Sequence, residues 1–95
     1  PVRNAPSREY MAMSVKNVHR AIKTGDLTTA VVELLNLETL RITDSQILRA
    51  LIKLAFKAKL YRIAIKWSEQ YHRLSDDIEM IYIASLAHKK LEDYE

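Results

Sequence analysis

The sequence predicts an all-α fold, a solenoid of about two and a half antiparallel helical hairpins. The 95 residues include one Gly and two Pro, and both prolines, Pro1 and Pro6, lie in the first six positions. The rest of the chain therefore has almost no helix breakers, and it is rich in Ala, Leu, Ile and Lys, which favour helices. Breaks in the apolar pattern are two to five residues long. Links this short make consecutive helices antiparallel neighbours.

One domain follows a short irregular lead. Residues 1–7 form the lead, and residues 8–95 form a single helical-repeat domain near the small end of what folds alone. The predicted hairpins cover about 8–40, 41–75 and 76–95. The last of these has room for little more than its first helix. We therefore expect the C-terminal end of the stack to be capped by a partner or by sequence that is missing here.

The first two helices are predicted at about 8–24 and 27–38, from apolar residues at i, i+3, i+4 spacing. Gly25, the one glycine of the chain, lies where the first pattern stops and suits a left-handed helix end. Asp26 then suits the N-cap of the second helix, and Thr43 and Asp44 are both candidate N-caps of the third.

Three further helices are predicted at about 44–58, 61–73 and 77–90. The first of them is apolar around most of its circumference, so we expect neighbours on several sides of it. Ser75 or Asp76 is the expected cap of the last one. The final letters, LEDYE, are expected to turn toward a sixth helix.

A period of thirty-four residues connects these helices. This shift places Lys23 on Lys57 and Ala30 on Ala64. Self-similarity at such a period is typical of stacked helical hairpins, which bury a continuous core only by stacking. The two alanines are expected where helices cross closely, and Trp67 is expected in the core between hairpins. Other matched pairs are Ala21 with Ala55, Val31 with Ile65, and Ile47 with Ile81.

Residues 51–74, LIKLAFKAKLYRIAIKWSEQYHRL, resemble a tetratricopeptide repeat. Phe56 and Tyr61 fall on aromatic positions of that family, and Ala64 falls on its near-invariant small position. The segments KTGDLTTAV and KKLEDYE resemble the same hinge in the previous and next copies, so the resemblance covers residues 12–95. The same stretch is also similar to the sister pentatricopeptide repeat. Either resemblance implies a superhelix of stacked hairpins.

The chain offers little from which to build an active site. It has no Cys, which removes disulfides, thiolate metal sites and Cys nucleophiles. Its three histidines, His19, His72 and His88, lack metal-ligand spacing, and there is no HExxH or Gly-rich phosphate loop. No apolar run approaches the roughly 20 residues of a membrane span. We therefore expect no enzyme activity, no cofactor, no metal and no membrane span.

Basic residues give the one pattern with functional content. The net charge is +3, and residues 41–73 hold eight Lys and Arg against two acids, whereas residues 74–95 hold two Lys against six acids. In tetratricopeptide proteins the first helix of each hairpin lines a concave groove. Carrying those positions over implies a basic groove suited to an acidic peptide or to phosphates. The predicted groove residues are His19, Lys23, Gln46, Arg49, Lys53, Phe56, Lys57, Lys89 and Lys90.

Two functions from different classes follow. The first is a non-catalytic scaffold or adaptor, a subunit of a larger assembly, whose basic groove holds an acidic segment of a protein partner. The alternative is a pentatricopeptide-like RNA-binding module, expected in an organelle. The expected location is intracellular, either cytoplasmic or mitochondrial. A third architecture, a compact bundle like the N-terminal domains of transcription elongation factors, resembles AVVELLNLETLRIT and IKWSEQYHRL but leaves the period unexplained.

Overall fold

The computed structural model describes residues 7–94, except for the side chain of Tyr94. These residues form five α-helices and no β-strand, which confirms the all-α prediction. Most of the predicted lead, and the last residue, lie outside the described part. The helices are α1 (Arg8–Lys23), α2 (Leu27–Glu38), α3 (Ser45–Lys57), α4 (Tyr61–His72) and α5 (Ile78–Tyr94).

Side-chain caps fix the starts of the first three helices. The Ser7 hydroxyl accepts a hydrogen bond from the Tyr10 amide at 3.1 Å. The Asp26 carboxylate accepts from the Thr29 amide at 3.1 Å, and Asp44 accepts from the Ile47 amide at 3.0 Å. Each cap satisfies an amide that has no partner within its helix. The predicted cap of α2 is therefore confirmed, and of the two candidates for α3 the structure selects Asp44.

The ends of α1 and α3 are built alike, thirty-four residues apart. Gly25 and Lys59 both take the left-handed conformation, with φ of 85° and 64°. The amide of the residue after each one bonds back to the helix, at 2.8 Å to the Ala21 carbonyl and 2.9 Å to the Ala55 carbonyl. This is the Schellman arrangement of a helix C-terminus. The period seen in the sequence is thus a period of backbone geometry at these two turns.

Helix α3 lies at the centre of the fold, where it packs against α1, α4 and α5. Its side chains Leu48, Leu51, Ile52 and Ala55 are fully buried, as expected for a helix that is apolar on most sides. Trp67 of α4 is also buried, which confirms its predicted place in the core. Burial of these groups is the main favourable contribution to folding, at roughly 25 cal/mol per Å² of apolar surface.

The remaining helices are arranged as hairpins around α3. Helix α1 packs against α2 and α3, and α4 packs against both α3 and α5. Ala30 of α2 and Ala64 of α4 have no exposed surface, so a small residue is required at each position. This packing is compatible with a helical-repeat arrangement.

Helix α5 differs from the prediction in two ways. It runs without interruption to Tyr94, so the expected turn at LEDYE and the start of a sixth helix are wrong for the described residues. The segment contains no Gly or Pro that would stop the helix. The cap is also Asp77 rather than Ser75 or Asp76, because the Asp77 carboxylate accepts from the amides of Glu79 and Met80.

Replacing Lys59 by Gly should stabilise the protein by about 0.5–1 kcal/mol, since a residue with a Cβ is strained at positive φ. Urea unfolding measures this change, and the slope of the unfolding free energy against urea concentration should stay the same.

The matched variant is Gly25→Ala, which should destabilise by about 1 kcal/mol. A Cβ at that position would have no atom within 4 Å, so its effect isolates backbone strain from packing. A Lys59→Gly protein less stable than the parent would contradict this account of the turn.

Candidate functional site

A groove of about 660 Å³ lies between the second halves of α1 and α3. Helices α1 and α3 are in direct contact, and the groove opens along one side of that contact. Helix α1 supplies Val15, Lys16, His19, Arg20 and Lys23, and α3 supplies Ala50, Lys53, Leu54 and Lys57.

The groove is basic over an apolar floor. Every ionisable side chain in its lining is a Lys, an Arg or a His, and no carboxylate lines it. The apolar members are Val15, Ala50 and Leu54, of which Leu54 is 5% exposed and belongs to the core. A concave surface with cations around an apolar floor attracts a ligand that combines negative charge with an apolar group.

The α3 side of the groove repeats the α1 side. Each of its four lining residues lies thirty-four positions after a lining residue of α1, for example Lys57 after Lys23 and Lys53 after His19. The remaining two pairs are Ala50 after Lys16 and Leu54 after Arg20. Side chains at equivalent positions of α1 and α3 therefore line the same groove.

Four of the nine predicted groove residues come together in this groove: His19, Lys23, Lys53 and Lys57. The structure puts the other five elsewhere. Lys89 and Lys90 are exposed on α5, outside the lining. Gln46, Arg49 and Phe56 are on α3, but each is engaged by other residues of the chain.

Gln46 and Phe56 have structural partners. The Gln46 side-chain oxygen accepts a hydrogen bond from Arg8 at 3.0 Å, near the ion pair of Arg8 with Asp44. These contacts tie the start of α1 to the start of α3. Phe56 packs edge to face on Tyr61, with ring centroids 5.4 Å apart. Neither side chain lines the groove.

Arg49 is held by acidic residues at the start of α5. Its guanidinium donates to Asp77 at 3.0 Å and also to Glu79. Glu79 binds a second cation, because the Lys53 ammonium lies 3.1 Å from its carboxylate. One lining residue of the groove is thus already paired within the chain.

Asp77 combines three tasks at the junction of α4 and α5. It caps α5, pairs with Arg49 and accepts a hydrogen bond from the Tyr71 hydroxyl at 2.9 Å. The hydrogen bond from Arg49, followed by that from Tyr71, lowers the pKa of the Asp77 carboxyl below its ordinary value. The same pairing raises the pKa of Arg49. These hydrogen bonds favour the ionised forms of both groups.

Sequence reasoning missed four lining residues: Lys16, Arg20, Ala50 and Leu54. The thirty-four-residue shift relates Lys16 to Ala50 and Arg20 to Leu54, so either member of each pair would have indicated the other. The pairing of Glu79 with Lys53 had no such signal, because it depends on where α5 begins.

Across residues 7–94, no three or more His, Asp or Glu side chains are grouped so that they could hold a metal ion. Within the same residues, no helix combines the length and the apolar character needed to cross a bilayer.

Replacing Asp77 by Asn should lower stability at pH 7 and have less effect at pH 3. The pKa of Asp77 is lowered in the folded state, so its contribution is present above about pH 4 and is lost as pH falls through the folded-state value. Urea unfolding at both pH values is the measurement. The control is Asp76→Asn, an exposed neighbour without a cap or ion pair, which should change little. An equal loss for Asp77→Asn at both pH values would contradict the ion-pair account.

Comparisons with protein-family models, with curated protein sequences and with solved structures found no significant match to the chain.

Proposed function

We propose that this protein is a non-catalytic binding module of the helical-repeat type, which holds an acidic segment of a protein partner in the groove between α1 and α3. The observation that carries the proposal is the groove lining, in which cationic side chains surround an apolar floor and no carboxylate takes part. In this proposal the module acts as a scaffold or adaptor subunit of a larger assembly.

The repeat relation supports a solenoid architecture as part of the proposal. The turns at Gly25 and Lys59 share one geometry, and the two sides of the groove are related by the same thirty-four residues. Stacked hairpins with this relation present equivalent faces side by side, which is how solenoids form extended binding surfaces. The groove then corresponds to one repeat unit of such a binding surface.

The chemistry of the floor favours a peptide over single-stranded RNA. Proteins bind single-stranded nucleic acid by stacking bases on aromatic side chains beside a cationic track. Apart from His19, no aromatic side chain lines the groove, and its apolar members Val15, Ala50 and Leu54 are aliphatic. Phe56, the aromatic residue expected at this surface, packs on Tyr61 instead. An apolar side chain flanked by carboxylates is therefore the better fit.

A double replacement, Lys23→Gln with Lys57→Gln, should weaken binding of a labelled peptide that repeats Glu-Glu-Leu by about tenfold at low ionic strength. Each exposed charge contact contributes roughly 0.5–1 kcal/mol, and both lysines line the groove. Fluorescence anisotropy measures the change, and added salt should weaken the parent complex as well.

The matched control is Lys59→Gln with Lys90→Gln, which removes the same charge from exposed positions outside the groove. A Gln-Gln-Leu peptide tests the ligand charge in the same way. Equal loss in both double variants would mean attraction by net charge alone and would sink the groove proposal. Salt-sensitive binding of a polyuridine oligonucleotide, tighter than that of the peptide, would favour the RNA alternative.

Replacing Glu79 by Gln should raise affinity for the acidic peptide about twofold to threefold. Glu79 holds Lys53 at 3.1 Å and also pairs with Arg49, so its removal frees cationic groups at the edge of the groove. The same anisotropy titration is the measurement. Glu69→Gln on α4 makes an identical charge change at an exposed position away from the groove. An equal gain from Glu69→Gln would show that net charge, and not the release of Lys53, is responsible.

A further inference from the structure

The outer face of α5 carries a cluster of large apolar side chains that no other helix of residues 7–94 covers. Ile78 is 85% exposed, Tyr82 is 63% exposed and Ile81 is 48% exposed. Leu74, just before the helix, is 52% exposed. Single exposed apolar residues are ordinary, but several close together mark an interaction surface. This surface shares no residue with the groove between α1 and α3.

Comparison with α3 indicates what this face lacks. The capping residues Asp44 and Asp77 align the two helices. In this alignment Ile81 matches Leu48 and Ser85 matches Ile52, and neither Leu48 nor Ile52 has any exposed surface. Helix α3 has neighbours on three sides, α1, α4 and α5, whereas α5 packs against α3 and α4. Positions that are buried in α3 are therefore bare in α5, and the bare face has the apolar character needed to receive one more helix.

We propose that the missing neighbour is α5 of a second copy of this chain, packed antiparallel about a twofold axis near Ile81 and Tyr82. Ile78, Ile81, Tyr82 and Ser85 follow the i, i+3, i+4, i+7 spacing of one helix face, and all four are exposed. The twofold axis sets Ile81 opposite Tyr82 of the second copy, and Ile78 opposite its Ser85. Large residues thus face one another at the centre, and a small residue faces Ile78.

Charged residues at the two ends of the row Ile78, Ile81, Tyr82 and Ser85 favour the antiparallel orientation. Asp76 lies in the link just before the N-terminal end of α5, and Lys89 lies on α5 seven residues after Tyr82. The axis therefore brings the Lys89 end of each copy toward the Asp76 end of the other. Both residues are exposed, and neither makes an ion pair with the described residues of its own chain. A parallel arrangement would set like charges side by side, which is unfavourable.

The area of the contact predicts weak, reversible association. A single helix pair with three apolar anchors and one Ser on each side buries less than the roughly 1,200 Å² of a standard stable interface. A dissociation constant of about 10–500 µM is expected. Sedimentation equilibrium over about 5 µM to 1 mM covers that range.

The parent chain should dimerise in this range, and Ile81→Lys should leave it monomeric throughout. Ile81 is half-exposed, so the substitution leaves the core intact, and circular dichroism verifies the helical fold. Tyr82→Lys, at a still more exposed position, provides an independent second variant. Val32→Lys is the control, because Val32 is 52% exposed on α2, away from the proposed contact.

Exchange of the two charges identifies the partner as a second copy. Asp76→Lys or Lys89→Glu alone should raise the dissociation constant about tenfold, because two pairs are broken at once in a twofold dimer. The combined variant, with both substitutions in one chain, should recover the parent value. A monomer throughout the range, a dimer that survives Ile81→Lys and Tyr82→Lys, or a dimer lost in Val32→Lys would each overturn the proposal.

Discussion

The enclosure of α3 by three other helices is the constraint on which the rest of the molecule depends. Because α1, α4 and α5 all pack against it, most of its circumference must be apolar, as the full burial of Leu48, Leu51 and Ile52 shows. Charged side chains are then confined to the narrow strip that no helix covers. Lys53 and Lys57 lie in this strip because burial leaves them no other position. The basic character of the groove is thus a consequence of how the core is arranged.

The cations at the two ends of that strip differ in whether they have acidic partners. At the start of α5, Glu79 pairs with Lys53 and with Arg49, so positive charge there is compensated internally. Toward the ends of α1 and α3, Lys23 and Lys57 have no acidic neighbour in the lining. The attraction for an anion should therefore increase along α3 from its middle toward its C-terminal end. One row of cations thus contains residues that pair within the chain and residues that have no acidic partner in the lining.

Sequence reasoning succeeded where local chemistry decides the outcome. Asp26 could be recognised as a cap, and Asp44 as one of two candidates, because Asp and Thr before an apolar pattern commonly cap a helix. Trp67 could be placed in the core because large apolar groups are buried. It failed where tertiary contacts decide. Asp77 is selected as the α5 cap over its neighbours while it also binds Arg49 and Tyr71. Three of the predicted groove residues, Gln46, Arg49 and Phe56, lie outside the lining for the same reason, since each contacts a partner that the fold brings near.

The parallel alignment of α1 and α3 has an electrostatic consequence for the groove. A helix C-terminus carries a partial negative charge of about half an elementary charge on its free carbonyls. Lys23 and Lys57 both lie in last turns, so two helix dipoles offset part of their mutual repulsion while the groove is empty. The cations can therefore gather without any carboxylate among them.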